Sequence, residues 1–273
     1  MFEFEYKPIP DLEAYLKRIR YEGSRELTRE TLNALVYAHQ CSVPFENLDP
    51  HDYKKPVVIT TEHLYEKVVA HNRGGYCFEL NGAFVTLLRA FGFDAYSCMC
   101  RIAVRRDFLS PVMHRGNIVR LDGKLYFCDV GLGGPMAPFA VELSREKQTF
   151  HGETYWVEPA EEGWMMLKRI KGNGIGDEGQ STGEEQAVII FGLQPFLHGD
   201  FEALSYSCSG RPDSRFVTNR TVYLRTPDGY MGLSDNVLTR IQNGVKTVTE
   251  YPEEEIPGLL KNTFGLGPCE YTK

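Results

Sequence analysis

No stretch of this chain reaches the ~18 consecutive apolar residues that a membrane-crossing helix needs, so a helical span is excluded from the reading. A surplus of positive charge is also missing. Thirty Lys and Arg stand against 37 Asp and Glu, a formal net charge of −7, and a nucleic-acid backbone is not an expected partner. The first residues, Met1-Phe2-Glu3-Phe4-Glu5-Tyr6, are acidic and lack a basic segment followed by an apolar one. No secretory leader is expected there, and a cytoplasmic location is. Seven cysteines are present, but their number is odd, their spacing is irregular and no C-x-x-C occurs. That argues against a disulfide framework and against a zinc site, so free thiols and no metal are expected. No internal repeat is visible.

What is present divides the 273 residues by pattern. Residues 1–94 read as helical. Leu12, Tyr15, Leu16 and Ile19 form a helical stripe, and Thr28 stands as a cap before a helix that Pro44 stops. Thr60 to Ala70 gives another helix, and a fourth runs from near Tyr76 to Phe91, ended by Gly92. Residues 95–195 read as short strands: Tyr96–Val104, Gly116–Leu121, Lys124–Val130, Thr154–Glu158, Met165–Ile170 and Gln186–Phe191. The polar, glycine-rich stretch 171–184 reads as an insert between strands. Residues 196–273 mix strands at Val222–Leu224, Leu238–Gln242 and Val245–Tyr251, a turn at Asn243-Gly244, and a closing helix over Glu253–Asn262. The expected class is α+β.

One cysteine sits in a special setting. In Arg73-Gly74-Gly75-Tyr76-Cys77-Phe78-Glu79-Leu80-Asn81, two glycines end a loop and an amphipathic helix starts at Cys77. Unpaired backbone N–H groups at a helix start favour a thiolate, lower its pKa and can hold an oxyanion. A thiolate nucleophile wants a histidine and a third group to orient it. Of seven histidines, His39, His51 and His63 read as surface, and nothing fixes the direction of His71. His114 is fixed by a hairpin. Asp122-Gly123 is a two-residue turn that sets Leu121 opposite Lys124, which puts His114, Gly116, Ile118, Phe127 and Asp129 on one face. Asp129 is then the diagonal neighbour of His114, ~7–8 Å away along the backbone, with Gly116 leaving the path open. A carboxylate inside Leu125-Tyr126-Phe127-Cys128 needs a partner to offset its desolvation, whereas Asp107 and Asp122 read as solvated. The following Gly131-Leu132-Gly133-Gly134 has no Lys-Ser/Thr after it and is not a nucleotide P-loop. Taken singly, each of these has a plain reading as a small apolar residue, a satisfied strand histidine or a turn.

Together they resemble a known family. The Arg73–Asn81 segment, Val43-Pro44-Phe45-Glu46-Asn47-Leu48, Asp129-Val130-Gly131-x-Gly133 and Arg211-Pro212-Asp213-Ser214-Arg215-Phe216-x-x-Asn219 are similar to motifs of the arylamine N-acetyltransferases, in the same order and across nearly the whole chain. The resemblance implies an N-terminal helical bundle (1–94), a central β-barrel (95–195) and an α/β lid (196–273), with a cysteine-protease-like core. It implies Cys77, His114 and Asp129 as a catalytic triad. It implies acetyl-CoA as acyl donor, and an arylamine, hydrazine or arylhydroxylamine as acceptor. Carried over by motif, Phe45, Ile102 and Phe216 would line the acceptor pocket, and Gly131, Gly133 and Gly134 would lie by the coenzyme A arm. A Glu46–Arg73 ion pair would support the loop. Leu132 stands where the family often has an aromatic residue, and the 206–212 segment looks one residue longer than usual. Three other activities fit the same residues: a macrolactam-closing amide synthase, a hydrolase, and a silent ligand-binding homologue.

Overall fold

The computed structural model describes residues 6–104, 108–134, 136–172 and 183–268. The readings of Met1–Glu5, Asp107, Pro135, most of the glycine-rich insert and Cys269 lie outside the described residues. The helices are α1 (Leu12–Arg18), α2 (Arg29–Ser42), α3 (Leu48–His51), α4 (Thr61–Tyr65), α5 (Cys77–Phe91), α6 (Glu202–Ser209), α7 (Arg215–Thr218) and α8 (Ile256–Phe264). The strands are β1 (Phe45–Glu46), β2 (Asp94–Ile102), β3 (His114–Leu121), β4 (Lys124–Cys128), β5 (Val141–Glu142), β6 (Gln148–Phe150), β7 (Glu153–Pro159), β8 (Met165–Ile170), β9 (Glu185–Phe191), β10 (Thr221–Thr226), β11 (Gly229–Ser234), β12 (Val237–Gln242) and β13 (Val245–Glu250). The class is α+β, as the sequence indicates.

Local chemistry sets the helix ends. The Asp11 carboxylate accepts from Ala14 N at the start of α1, and Thr28 Oγ1 accepts from Thr31 N at the start of α2. α5 ends on Gly92, whose φ of 118° lets the chain turn away. The helix expected over Thr60–Ala70 forms, but after Tyr65 it widens into a π turn at Glu66–Ala70.

Eight strands form one sheet in the order β5-β4-β3-β2-β9-β8-β7-β6. Its two ends come together. Gln148 bonds both the N–H and the C=O of Glu142 at 3.0 Å, and Val157 N donates to Ser144 O at 3.1 Å. The result is a nearly closed barrel. The hairpin register is the expected one, with Leu121 opposite Lys124 and Ile118 opposite Phe127. Alternation then divides the strands between two cores. Ile118 and Phe127 fill the barrel with Cys98, Cys100, Leu167, Ile189 and Phe191. Val119, Tyr126 and Cys128 face the other way and pack with Leu80, Phe84, Leu87 and Leu88 of α5.

The second sheet has the order β1-β10-β11-β12-β13. Its first strand has only two residues: Phe45 pairs with Tyr223 and Glu46 with Val222. Phe45 also bridges Gly75, just before Cys77. The segment that carries the cysteine is thus tied to a strand far along the chain.

Candidate active site

Cys77 is the first residue of α5, and Glu79 fixes that start. Glu79 Oε2 accepts from Tyr76 N at 3.0 Å, while its Oε1 takes Lys67 Nζ at 2.6 Å. Lys67 also meets Asp49 at 2.6 Å, and Arg73 reaches Glu46 at 2.7 Å and Asp49 at 2.9 Å. The expected Glu46–Arg73 pair is therefore one edge of a fully buried cluster of five charges. Gly74 is required by close approach, because a Cβ there would lie 2.0 Å from the Pro44 carbonyl oxygen.

His114 opens β3 opposite Cys100 of β2. Asp129 lies one residue past β4, not inside the strand as the sequence suggested. Its side chain turns the backbone out of the ladder: Asp129 Oδ1 accepts from Gly131 N at 2.8 Å, a short Asx-type bond. The same oxygen accepts from Asn81 Nδ2 at 2.8 Å. Asp129 Oδ2 meets His114 Nε2 at 2.5 Å. Both residues are buried, and these donors offset the desolvation of the carboxylate.

Gly116 does not act as expected. A Cβ there would press on the Phe127 ring at 2.7 Å and Cys100 Sγ at 3.0 Å, so the glycine makes room for barrel packing, not for the histidine–aspartate path. Gly131 is the glycine the site needs. A Cβ on it would meet Cys77 Cα at 2.9 Å and Asn81 Nδ2 at 3.0 Å.

Cys77 and His114 line one cavity of about 610 Å³. Phe45, Ile102, Phe216, Gly131, Gly133 and Gly134 line it too, so each residue expected to act in catalysis or to touch acceptor or coenzyme is at this cavity or, like Asp129, bonded to one that is. Leu132, Ser207, Cys208 and Arg211 complete part of the wall. α6 is fastened beside the cysteine by Tyr76, whose Oη bonds Ser205 Oγ at 2.5 Å and Ser205 O at 3.0 Å.

The electrostatics correct one expectation. Cys77 is only 4% exposed. Burial pushes its thiol well above the usual value, Cys208 and Asp129 add to the rise, and the backbone amides of Arg115 and Phe78 pull it back only in part. The helix start does not outweigh burial. His39, expected at the surface, is buried, and its Nε2 lies 3.1 Å from Tyr15 Oη.

Sequence reasoning gave Asn81 no role. Asn81 sits one helical turn after Cys77 and links three elements. It donates to Asp129 Oδ1 and Arg115 O, and its Oδ1 accepts from Val130 N. Its i+4 spacing from the cysteine was the available signal. Gln40, which donates to the carbonyls of Asp129 and Ala137, left no such signal.

A thiol at a helix start, sharing a cavity with an imidazole that is bonded to a carboxylate at the end of the barrel strands, defines a class: α+β proteins with a cysteine, a histidine and an aspartate gathered at one cleft. Comparison narrows the class. An N-acetyltransferase family model matches residues 28–268. The arylamine N-acetyltransferase of Mycolicibacterium smegmatis is 30% identical over 94% of this chain and 92% of its own length. The solved arylamine N-acetyltransferase of Salmonella typhimurium superposes with a TM-score of 0.85 at 26% identity, over 98% of this chain and 96% of that one. The Mycobacterium marinum enzyme in complex with CoA gives a TM-score of 0.82 at 27% identity, over 94% and 93%. This chain belongs to the arylamine N-acetyltransferase family, a family of acyltransferases.

Proposed function

We propose that this chain moves an acetyl group from acetyl-CoA to the nitrogen of an arylamine, a hydrazine or an arylhydroxylamine by way of an acetyl-Cys77. The observation that carries the reading is the His114–Asp129 bond at the wall of the cavity that Cys77 also lines. With Nε2 engaged by Asp129, Nδ1 is the ring nitrogen available to the thiol. In the first half-reaction His114 takes the Cys77 proton as sulfur attacks the thioester carbonyl. The new S–C bond forms, the bond to coenzyme A breaks, and His114 returns the proton to the departing thiolate. In the second half-reaction the amine attacks acetyl-Cys77, His114 takes the amine proton, and the cysteine leaves. Asp129 fixes the imidazole tautomer and balances its charge. Cys77, His114 and Asp129 are thus assigned as the triad.

Phe45, Ile102 and Phe216 supply apolar wall for the acceptor ring, with Phe45 and Phe216 at 6.5 Å between ring centres. Gly131, Gly133 and Gly134 offer side-chain-free backbone to the donor arm, and the CoA complex of the M. marinum relative supports that donor. Leu132 adds an aliphatic surface to the same cavity. The six described cysteines are free, which supports a reducing, cytoplasmic setting.

Initial rates with both substrates varied test the scheme. Parallel double-reciprocal lines are expected for acetyl-CoA and an aromatic amine. Intersecting lines, or thiol release that no amine or hydrazine accelerates, would contradict it.

A further inference from the structure

β13 is the outer strand of the five-stranded sheet, and no described strand lies beyond it. All six of its residues are exposed, with Val245 at 66% and Val248 at 57%. The usual protections of an edge are sparse among these residues: no proline, no bulge and a single lysine.

The register with β12 shows which backbone groups face outward. Tyr251 N donates to Asn236 O at 2.9 Å, and the same pairing continues unbroken from Val237 opposite Glu250 to Gln242 opposite Val245. Bonding alternates along an antiparallel ladder. Val245, Thr247 and Thr249 therefore turn their N–H and C=O toward β12. Lys246, Val248 and Glu250 turn theirs outward. The side chains of these same three residues share one face of the sheet.

We propose that β13 pairs with β13 of a second copy of this chain, antiparallel about a two-fold axis at Val248. In that register Val248 meets its own mate, Lys246 lies opposite Glu250, and Glu250 lies opposite Lys246. Outward backbone groups meet outward backbone groups at all three positions. Of the two-fold registers along this strand, only the one centred on Val248 sets Lys246 against Glu250. Those centred on Thr247 or Thr249 leave each charge without the other. Those centred on Lys246 or Glu250 set like charges face to face, which is destabilising. The two five-stranded sheets become one continuous sheet with an isologous interface. No residue of β13 lines the cavity that holds Cys77, so the pairing leaves that cavity open.

Sedimentation equilibrium of the full chain, from micromolar to hundreds of micromolar, tests this. A reversible dimer is expected, weak because the contact is one strand. Val248→Pro removes an outward N–H and no bond to β12, and is expected to sediment as a monomer with acetyl transfer unchanged. Lys246→Glu and Glu250→Lys are each expected to be monomeric, and an equimolar mixture of the two is expected to form the dimer again. A wild-type chain that stays monomeric throughout would overturn the proposal. So would a dimer that survives Val248→Pro and both charge reversals, or a mixture of the reversed variants that fails to associate.

Discussion

Cys77 is a thiol whose surroundings oppose its ionisation, since burial comes first among the causes that raise it. A thiolate forms there only if its proton has a near destination, and the proposed destination is His114, held by Asp129. His114→Gln is therefore expected to slow alkylation of Cys77 by iodoacetamide at neutral pH by ~100-fold, the lower range of a lost general base. The sign with pH follows from the raised thiol. In the variant, the rate climbs as pH rises into the alkaline range, because only there does an unassisted buried thiol ionise. A variant that alkylates at the wild-type rate at neutral pH would remove His114 from the mechanism. The helix start at Cys77 and the meeting of His114 with Asp129 were legible from a glycine turn before a helix and a two-residue hairpin turn. The thiol's raised pKa was not, because it depends on how closely Cys208, Asp129 and the pocket wall enclose the sulfur.

At the scale of elements, the β3–β4 hairpin carried the most information. Its turn fixed the register, and the register fixed which side chains share a face. The sequence did not show that β4 ends at Cys128, since that depends on the Asp129 side chain capturing Gly131 N. Nor was β1 legible: two residues have no periodicity, and their partners lie in β10. The loop before α5 rests on the buried charges of Glu46, Asp49, Lys67, Arg73 and Glu79. Of these only the Glu46–Arg73 edge was anticipated, because Lys67 reaches the cluster from the π turn. Arg73→Met removes the Arg73 bonds to Glu46 and Asp49, leaves three buried carboxylates facing one lysine, and is expected to cost ~3–5 kcal/mol in urea unfolding. The exposed Lys7–Glu62 pair provides the contrast, and Lys7→Ala is expected to cost under ~1 kcal/mol. Equal effects from the two substitutions would show that the cluster does not stabilise the loop.

Across the whole molecule, two cores meet on the β2–β3–β4 face, and the α+β class was visible in the sequence because periodicity survives without contacts. Burial of individual polar groups was not, and it has a consequence for stability against acid. Burial pushes His39 down to about 3, with Arg18 adding to the shift, and pushes His198 down to about 3, with Arg115 adding. Both are neutral in the fold and titrate near 6.5 when unfolded. Between those values the unfolded chain binds more protons, so this contribution is fully present above pH 6.5 and is lost as pH falls toward 3. The expected slope is at most ~1.4 kcal/mol per pH unit for each histidine. His39→Leu should flatten the pH dependence of unfolding below pH 6.5 by about that amount. An unchanged slope would mean that His39 is protonated within the fold.

The most direct measurement is intact-protein mass spectrometry, followed by peptide mapping, after exposure to acetyl-CoA with no amine present. One added acetyl group, mapped to Cys77 and absent from a folded Cys77→Ser variant, is the predicted result. An unmodified Cys77, or an acetyl group carried on another residue while amine transfer proceeds, would contradict the account.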